Sequence, residues 1–429
     1  MEKMKWLYPG MGVKRWLALL VFGVFWVAIG LAVLLNTPVL SVVEYRLLTW
    51  LHSSGLNSST VGVIIILLGF VWIGLAVRCG IHSVVCAIRP DDPSDLVSQV
   101  YKQRNLQKGP HIVAIGGGTG LSTMLRGLKE YSSNITAIVT VADDGGSSGR
   151  IRKELGILPP GDIRNTLIAL ADTEPLMEKL FQYRFSWGDD LTGHSFGNLF
   201  IAAMTDITGD FEKSIKEFSK VLAVRGKVIP STLETVRLRA RYTDGTEVVG
   251  ESNIPLPNKR IDRIYMEPEG AQALPEALEA IAHADIIVLG PGSLFTSIIP
   301  NLLVEPIVEA LANSSALRLY ICNVMTQPGE TDGMSASDHV KALLKHADGE
   351  RILDYVLVNR ARISPVQAEK YRREGAYPVR ADTAKLERMG LEVISADFLD
   401  KMDLVRHDSD RLAKEIIRLA VDHRENGKS

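Results

Sequence analysis

Cysteine is scarce in this sequence: Cys79, Cys86 and Cys322 are all there are in 429 residues. Three such scattered thiols exclude a disulfide framework and a four-ligand zinc site, and their scarcity fits a reducing compartment for the soluble part. No sign of charge dominates either, since 48 Lys and Arg stand against 50 Asp and Glu, for a net charge of −2. A global basic field of the kind that recruits nucleic acid is therefore missing, and no nucleic-acid partner is expected. Internal repeats and low-complexity tracts are likewise lacking.

What the chain does have is apolar residues. They make up 46% of it and bring the mean hydropathy to +0.10, which is high for a wholly water-soluble protein. Trp16 to Leu35 is a run of 20 residues without a charge, long enough at about 1.5 Å per residue to span a hydrocarbon core. Val61 to Val77 is a second run of 17, and Ile81 to Ile88 lengthens it past Arg78. The first run exceeds the apolar core of a usual signal peptide, and no small-x-small cleavage site follows Leu35. Lys3, Lys5, Lys14 and Arg15 precede the first run and Arg78 and Arg89 follow the second, while the intervening loop holds only Glu44, Arg46 and His52. The expectation is a multi-pass hairpin in the cell membrane over residues 1–88, with spans at about 16–35 and 61–77 and both termini cytoplasmic.

Residues 89–110 read as a surface linker with a short helix at Asp95 to Gln103. From His111 onward the pattern changes to short apolar runs, each ending in a Gly-rich or Asp-rich loop. His111 to Ile115 leads into Gly116-Gly117-Gly118-Thr119-Gly120, followed by an amphipathic stretch with Leu121, Met124, Leu125 and Leu128 on one face. This is a strand, turn and helix of the nucleotide-binding kind. Leu121 stands where the dinucleotide fingerprint has its third glycine, and the Gly-Lys-Ser/Thr of a P-loop is missing, so neither NAD nor ATP hydrolysis is expected.

Ile135 to Val141 forms the next strand and delivers Asp143 and Asp144, followed by Gly145, Gly146, Ser147, Ser148, Gly149 and Arg150. Carboxylates, hydroxyls and flexible amides together suit a divalent metal such as Mg²⁺ beside a phosphate, although Asp-Gly is also common in plain turns. Asp162, Arg164 and Asn165 fall near a helix start, where Asp162 is equally suited to capping and where Arg and Asn suit phosphate and base. His194 and Asn198 lie four apart at another helix beginning, His194 being a candidate acid or base. Ala284 to Leu289 leads to Gly290-Pro291-Gly292-Ser293, repeating the logic of the first loop. Arg318 to Val324 leads to a loop carrying Gln327 and Thr331, both suited to a base or sugar, and Asp354 to Asn359 supplies a further strand. Strands alternating with helices argue for an α/β, Rossmann-like doubly wound, mostly parallel sheet over 111–429.

Val236 to Val249, with Asp244-Gly245 at its centre, reads as a β-hairpin with a type I′ turn and a face carrying Arg237, Arg239 and Arg241. Such a face is usually solvated, with an acidic partner or lipid head groups as the alternative. Residues 208–270 are the candidate inserted subdomain.

Six segments in order, Ile115 to Leu121, Val141 to Arg150, Pro160 to Asn165, His194 to Asn198, Leu289 to Leu294 and Cys322 to Asp332, resemble the gluconeogenesis factor family of the 2-phospho-L-lactate transferase-like superfamily. The resemblance covers roughly 111 to 425 and leaves out the hairpin. It implies a Rossmann-like domain that binds a UDP-sugar such as UDP-N-acetylglucosamine and links carbon metabolism to cell-wall synthesis and bacterial cell shape. By similarity Asp143, Asp144 and Asp162 lie around phosphates and metal, and Arg406, in Leu404 to Asp408, contacts the nucleotide sugar. Cell-wall synthesis proteins and further copies of the chain are its expected partners. The alternative is a Mg²⁺-dependent transferase, with those three aspartates catalytic, acting on a nucleotide-activated phosphate donor.

Overall fold

A computed structural model describes residues 14–35, 58–88, 104–172, 175–188, 190–400 and 405–426, with residues 58, 84–88 and 426 described by their backbone alone. They divide into two units, Met1–Gln103 and Arg104–Ser429, and the boundary falls inside the expected linker. The helix expected at Asp95 to Gln103 and the flanking charges at Lys3, Lys5, Glu44, Arg46, His52 and Arg89 lie outside the described residues.

In the first unit both apolar runs are helical, Lys14–Leu35 and Ser58–Ile88, and the second continues past Arg78. Each is long and apolar enough to cross a membrane, with an 18-residue stretch of mean hydropathy 2.8 within Lys14–Leu35 and one of 2.7 within Ser59–Ser83. The two pack antiparallel through glycines. A Cβ on Gly30 would stand 2.8 Å from the Ile66 nitrogen, and one on Gly69 would stand 2.8 Å from that of Val27. Small residues that let backbones approach are the usual means of helix association where water supplies no driving force.

In the second unit, apolar runs that lack alternation become strands covered on both faces. β1 (Ile112–Gly116) and β7 (Ile286–Leu289) are buried along their whole length. They sit at the middle of a seven-stranded sheet with β2 (Ile135–Val139), β3 (Lys227–Pro230), β8 (Leu317–Ile321), β9 (Tyr355–Asn359) and β10 (Glu392–Ala396), in the order β10-β9-β8-β7-β1-β2-β3. Every pairing is parallel. Strand order therefore runs outward in both directions from the β1/β7 pair, which makes the crevice at the carboxyl ends of these two strands the topological switch point. The doubly wound fold expected from the sequence is the one found.

A second, antiparallel sheet consists of β4 (Arg237–Tyr242), β5 (Glu247–Val249) and β6 (Ile261–Glu267). The inserted part is thus shorter than 208–270: the helix Phe211–Val221 buries Phe211, Ile215 and Phe218, and β3 is the outer strand of the main sheet. The β4/β5 hairpin forms, but its turn is not type I′. Tyr242 C=O accepts from Gly245 N–H at 2.9 Å, Gly245 has φ +83°, and Asp244 is not in the left-handed region. This is a three-residue loop closed by a left-handed glycine, the next commonest hairpin design. Two of the three arginines on its basic face are locally neutralised. Arg239 pairs with Glu247 and Glu267, Arg241 pairs with Asp262, and both guanidinium groups lie over Tyr265.

Candidate functional site at the strand switch point

The loops after β1, β7 and β8 converge on one cleft of about 440 Å³. Gly117, Gly118, Thr119 and Gly120 form one wall, Gly292 and Ser293 another, and Asn323 to Pro328 a third, while Tyr371, Glu374, Arg406 and His407 close the rim. The helix Gly118–Leu128 begins at Gly117 with no side-chain cap, so its first amides and the positive end of its dipole face this region. Two glycines are required by space. A Cβ on Gly117 would stand 2.5 Å from Asp162 Oδ2, and one on Gly120 would stand 2.7 Å from the carbonyl oxygen of Pro291. The loops after β1 and β7 are pressed together there. Asn323 then ties the third loop to the second by donating from Nδ2 to the Gly292 carbonyl at 2.7 Å. After Ser293 the chain makes a π-type turn, Leu294–Ile298, a conformation frequent at functional sites.

The residues singled out in the sequence separate into groups. Gly117 to Gly120, Gly292, Ser293, Gln327 and Arg406 line the cleft. Gly116 and Gly290 are held one step behind it, with Gly290 N–H donating to Ile115 C=O. Thr331 is buried instead, its hydroxyl accepting from the Gln327 backbone at 2.8 Å, so it shapes the loop rather than the cleft surface. Thr296 donates to Glu330, and Gln327 Nε2 donates to the same carboxylate.

A second cluster forms on the β2 side. Ser147 accepts from Asn198 Nδ2 at 3.1 Å and from Ser195 N–H at 3.3 Å, which directs its own proton to His194 Nδ1, 3.1 Å away. Burial, reinforced by Arg150, lowers the pKa of His194 and keeps it neutral. Arg164 donates to Asn198 Oδ1 and Asn165 Oδ1, each at 2.7 Å, and burial lowers its pKa to about 10. Ser148 is buried beside them. Arg150 donates to the Thr192 carbonyl at 2.7 Å. Neither guanidinium lines the cleft, because local carbonyl partners occupy both.

Asp162 joins the two groups. Its carboxylate accepts from Gly118 N–H under the β1 loop, and burial together with Asp143 raises its pKa to about 6. Asp143 accepts from Gly145 N–H at 2.9 Å. The paired acids part company at Asp144, whose two oxygens accept from Glu251 N–H at 3.0 Å and Ser252 N–H at 2.9 Å. Among the described residues no three His, Cys, Asp or Glu side chains group as a metal site. Asp143 and Asp162 nevertheless fit the habit of Mg²⁺, which takes one or two carboxylates and completes its shell with water and ligand phosphates.

Three groups escaped the sequence reading. Glu251 reaches a pKa of about 8 through burial and the nearby Asp143 and Asp144, and Glu330 reaches about 7 through burial. Glu251 carries no sequence signal, whereas Glu330 and His407 lie inside motifs already noted. His407 is buried in the cleft wall, its pKa lowered by burial to about 4; its ring donates to the Cys322 carbonyl and its Nε2 has no partner among the described residues.

The family model described as 2-phospho-L-lactate transferase CofD matches residues 112–399. The gluconeogenesis factor of Bacillus subtilis (strain 168) is 55% identical over 311 residues, 72% of this chain and 98% of its own. A relative from Nostoc sp. (strain PCC 7120) is 48% identical over 418 residues, 96% of this chain and 92% of its own, so its similarity extends into the N-terminal unit. A crystal structure of a UPF0052 family protein from Bacillus halodurans superposes with a TM-score of 0.70 at 52% identity, covering 72% of this chain and 99% of that one. Motif order, sheet topology and these identities agree: the chain belongs to the gluconeogenesis factor family, within the 2-phospho-L-lactate transferase-like proteins.

Proposed function

We propose that the switch-point cleft binds a nucleoside-diphosphate sugar of the UDP-sugar class and that the protein acts as a membrane-anchored regulator linking carbon metabolism to cell-wall synthesis and cell shape. The observation that carries this reading is the convergence on one cleft of an uncapped helix N-terminus, three strand-end loops and Arg406. Backbone amides and a helix dipole favour a diphosphate, and a guanidinium adds charge-assisted hydrogen bonds. Gln327 and Asn323 offer neutral polar contacts for base and sugar. Mg²⁺ enters with the phosphates, counterbalancing Asp143 and Asp162. Calorimetric titration of residues 104–429 with UDP-N-acetylglucosamine, UDP-glucose and GDP tests the reading. Saturable binding of a UDP-sugar is expected; heat-silent titrations with all three would sink it.

A second reading, transfer from a nucleotide-activated phosphate donor, is favoured by Asp162, a carboxyl with a pKa raised to about 6 in contact with the phosphate loop. A group poised near neutrality there suits proton transfer. Incubation with GDP-activated phospholactate, Mg²⁺ and a deazaflavin alcohol, followed by mass spectrometry, is expected to yield product under this reading and none under the first.

A further inference from the structure

The helix pair of the N-terminal unit carries a feature that anchoring does not use. At the end where Lys14–Leu35 begins, a cavity of about 400 Å³ opens between the two helices, lined by Arg15, Trp16, Arg78, Cys79, His82 and Ser83. The helices pack side by side here, since a Cβ on Gly80 would stand 3.6 Å from Trp16 Cβ, and each contributes one arginine to the same cavity. Residues 14–35 and 58–88 contain no Asp or Glu. The Arg15 guanidinium lies 4.8 Å over the Trp16 ring, which fixes the plane of its hydrogen-bonding fork. Trp16 Nε1 is buried with no acceptor among the described residues. Two guanidinium groups thus dominate a cavity whose remaining polar lining is His82 and Ser83.

We propose that this cavity binds the phosphate of an anionic membrane lipid. The shared chemistry is that of a phosphate ester, and the lipid is chosen over a soluble phosphate because of what surrounds the cavity. Toward the middle of the helices Val21, Phe22, Phe25, Leu67, Leu68, Phe70 and Val71 are exposed and apolar, as acyl chains require. Arginine and tryptophan at the end of such a surface lie at the level of the head groups, where basic cavities between spanning helices select anionic lipids. The inference rests on insertion of the hairpin, and it adds a specific ligand to what would otherwise be a passive anchor.

The test uses the full-length protein in detergent, exchanged against an equimolar mixture of phosphatidylglycerol and phosphatidylcholine and examined by native mass spectrometry. The wild type is expected to retain phosphatidylglycerol preferentially. Arg15→Gln with Arg78→Gln should reduce that preference by about tenfold or more, while Arg15→Lys with Arg78→Lys keeps most of it. Equal retention of the two lipids by the wild type, or an unchanged preference in the glutamine variant, would overturn the proposal. Complete displacement of the lipid by millimolar glycerol phosphate would also overturn it, by assigning the site to a soluble ester. An alkaline carbonate wash of membranes carrying the glutamine variant separates the two layers of argument. Retention is expected, and release would transfer the arginines from lipid recognition to insertion itself.

Discussion

The backbone N–H of Glu251 donates to Asp144 at 3.0 Å, across 107 residues of chain. With the parallel bond from Ser252 it uses the second of two adjacent aspartates as a clamp on the inserted sheet, leaving the first for the site. Asp144→Ala should therefore cost about 2 to 4 kcal/mol of stability, the scale of losing two hydrogen bonds to a charged group. Chemical denaturation measures it. A loss under about 0.5 kcal/mol, as at an ordinary surface position, would refute the clamp.

The same contact delivers Glu251 into a field of carboxylates, with a pH consequence. Its folded-state pKa of about 8 and that of Glu330, about 7, lie above the unfolded values near 4.5. At these two carboxyls the native state therefore binds more protons than the unfolded state between these limits, and their contribution to stability falls as pH rises from about 4.5 to 8. Denaturation of wild type and Glu251→Gln at pH 5.5 and 8 should show a shallower decline in the variant. Parallel declines would show that Glu251 ionises normally.

Arg406 is exposed at the cleft rim and His407 is buried beside it, so their substitutions should separate. Arg406→Ala is expected to weaken UDP-sugar binding by about 10- to 100-fold, the worth of one charge-assisted hydrogen bond, with stability changed by less than about 0.5 kcal/mol. Titration calorimetry and thermal unfolding of the same sample decide it.

For His407 the relevant axis is acid. With a folded-state pKa of about 4 against an ordinary 6.5, its contribution to stability is complete above pH 6.5 and lost as pH falls toward 4. His407→Leu should be less sensitive to acid over that interval, as measured by denaturation at pH 4.5 and 7. Equal acid sensitivity in variant and wild type would show that His407 does not control this transition.

Gly120→Ala tests the junction of the first two loops. Its Cβ would meet a backbone carbonyl of Pro291 at 2.7 Å, where no side-chain rotamer can yield. A cost of about 1 to 3 kcal/mol and loss of nucleotide binding are expected, read by unfolding and calorimetry.

Much of this was legible in the sequence because the signals are local. A charge-free run of 20 residues is long enough to cross a membrane, the apolar runs at β1, β2, β7, β8 and β9 encode buried parallel strands, and glycine after β1, β2 and β7 marks where the backbone turns closely. The hairpin at Asp244-Gly245 was legible as a hairpin but not in its turn type, because the register of its flanking strands decides whether two or three residues close it.

Pairings across the chain were not legible. Sequence position places Asp143 beside Asp144, yet only the folded insertion shows one carboxylate consumed by backbone amides and the other left beside Asp162. It likewise shows Arg150 and Arg164 turned to local carbonyl groups and Thr331 turned inward. Local chemistry thus determined the strands, the loops and the apolar helices. Only the tertiary structure decided which loops share a cleft, because the β1/β7 switch point is a property of strand order, and which acids lose their water, because desolvation depends on what packs above them.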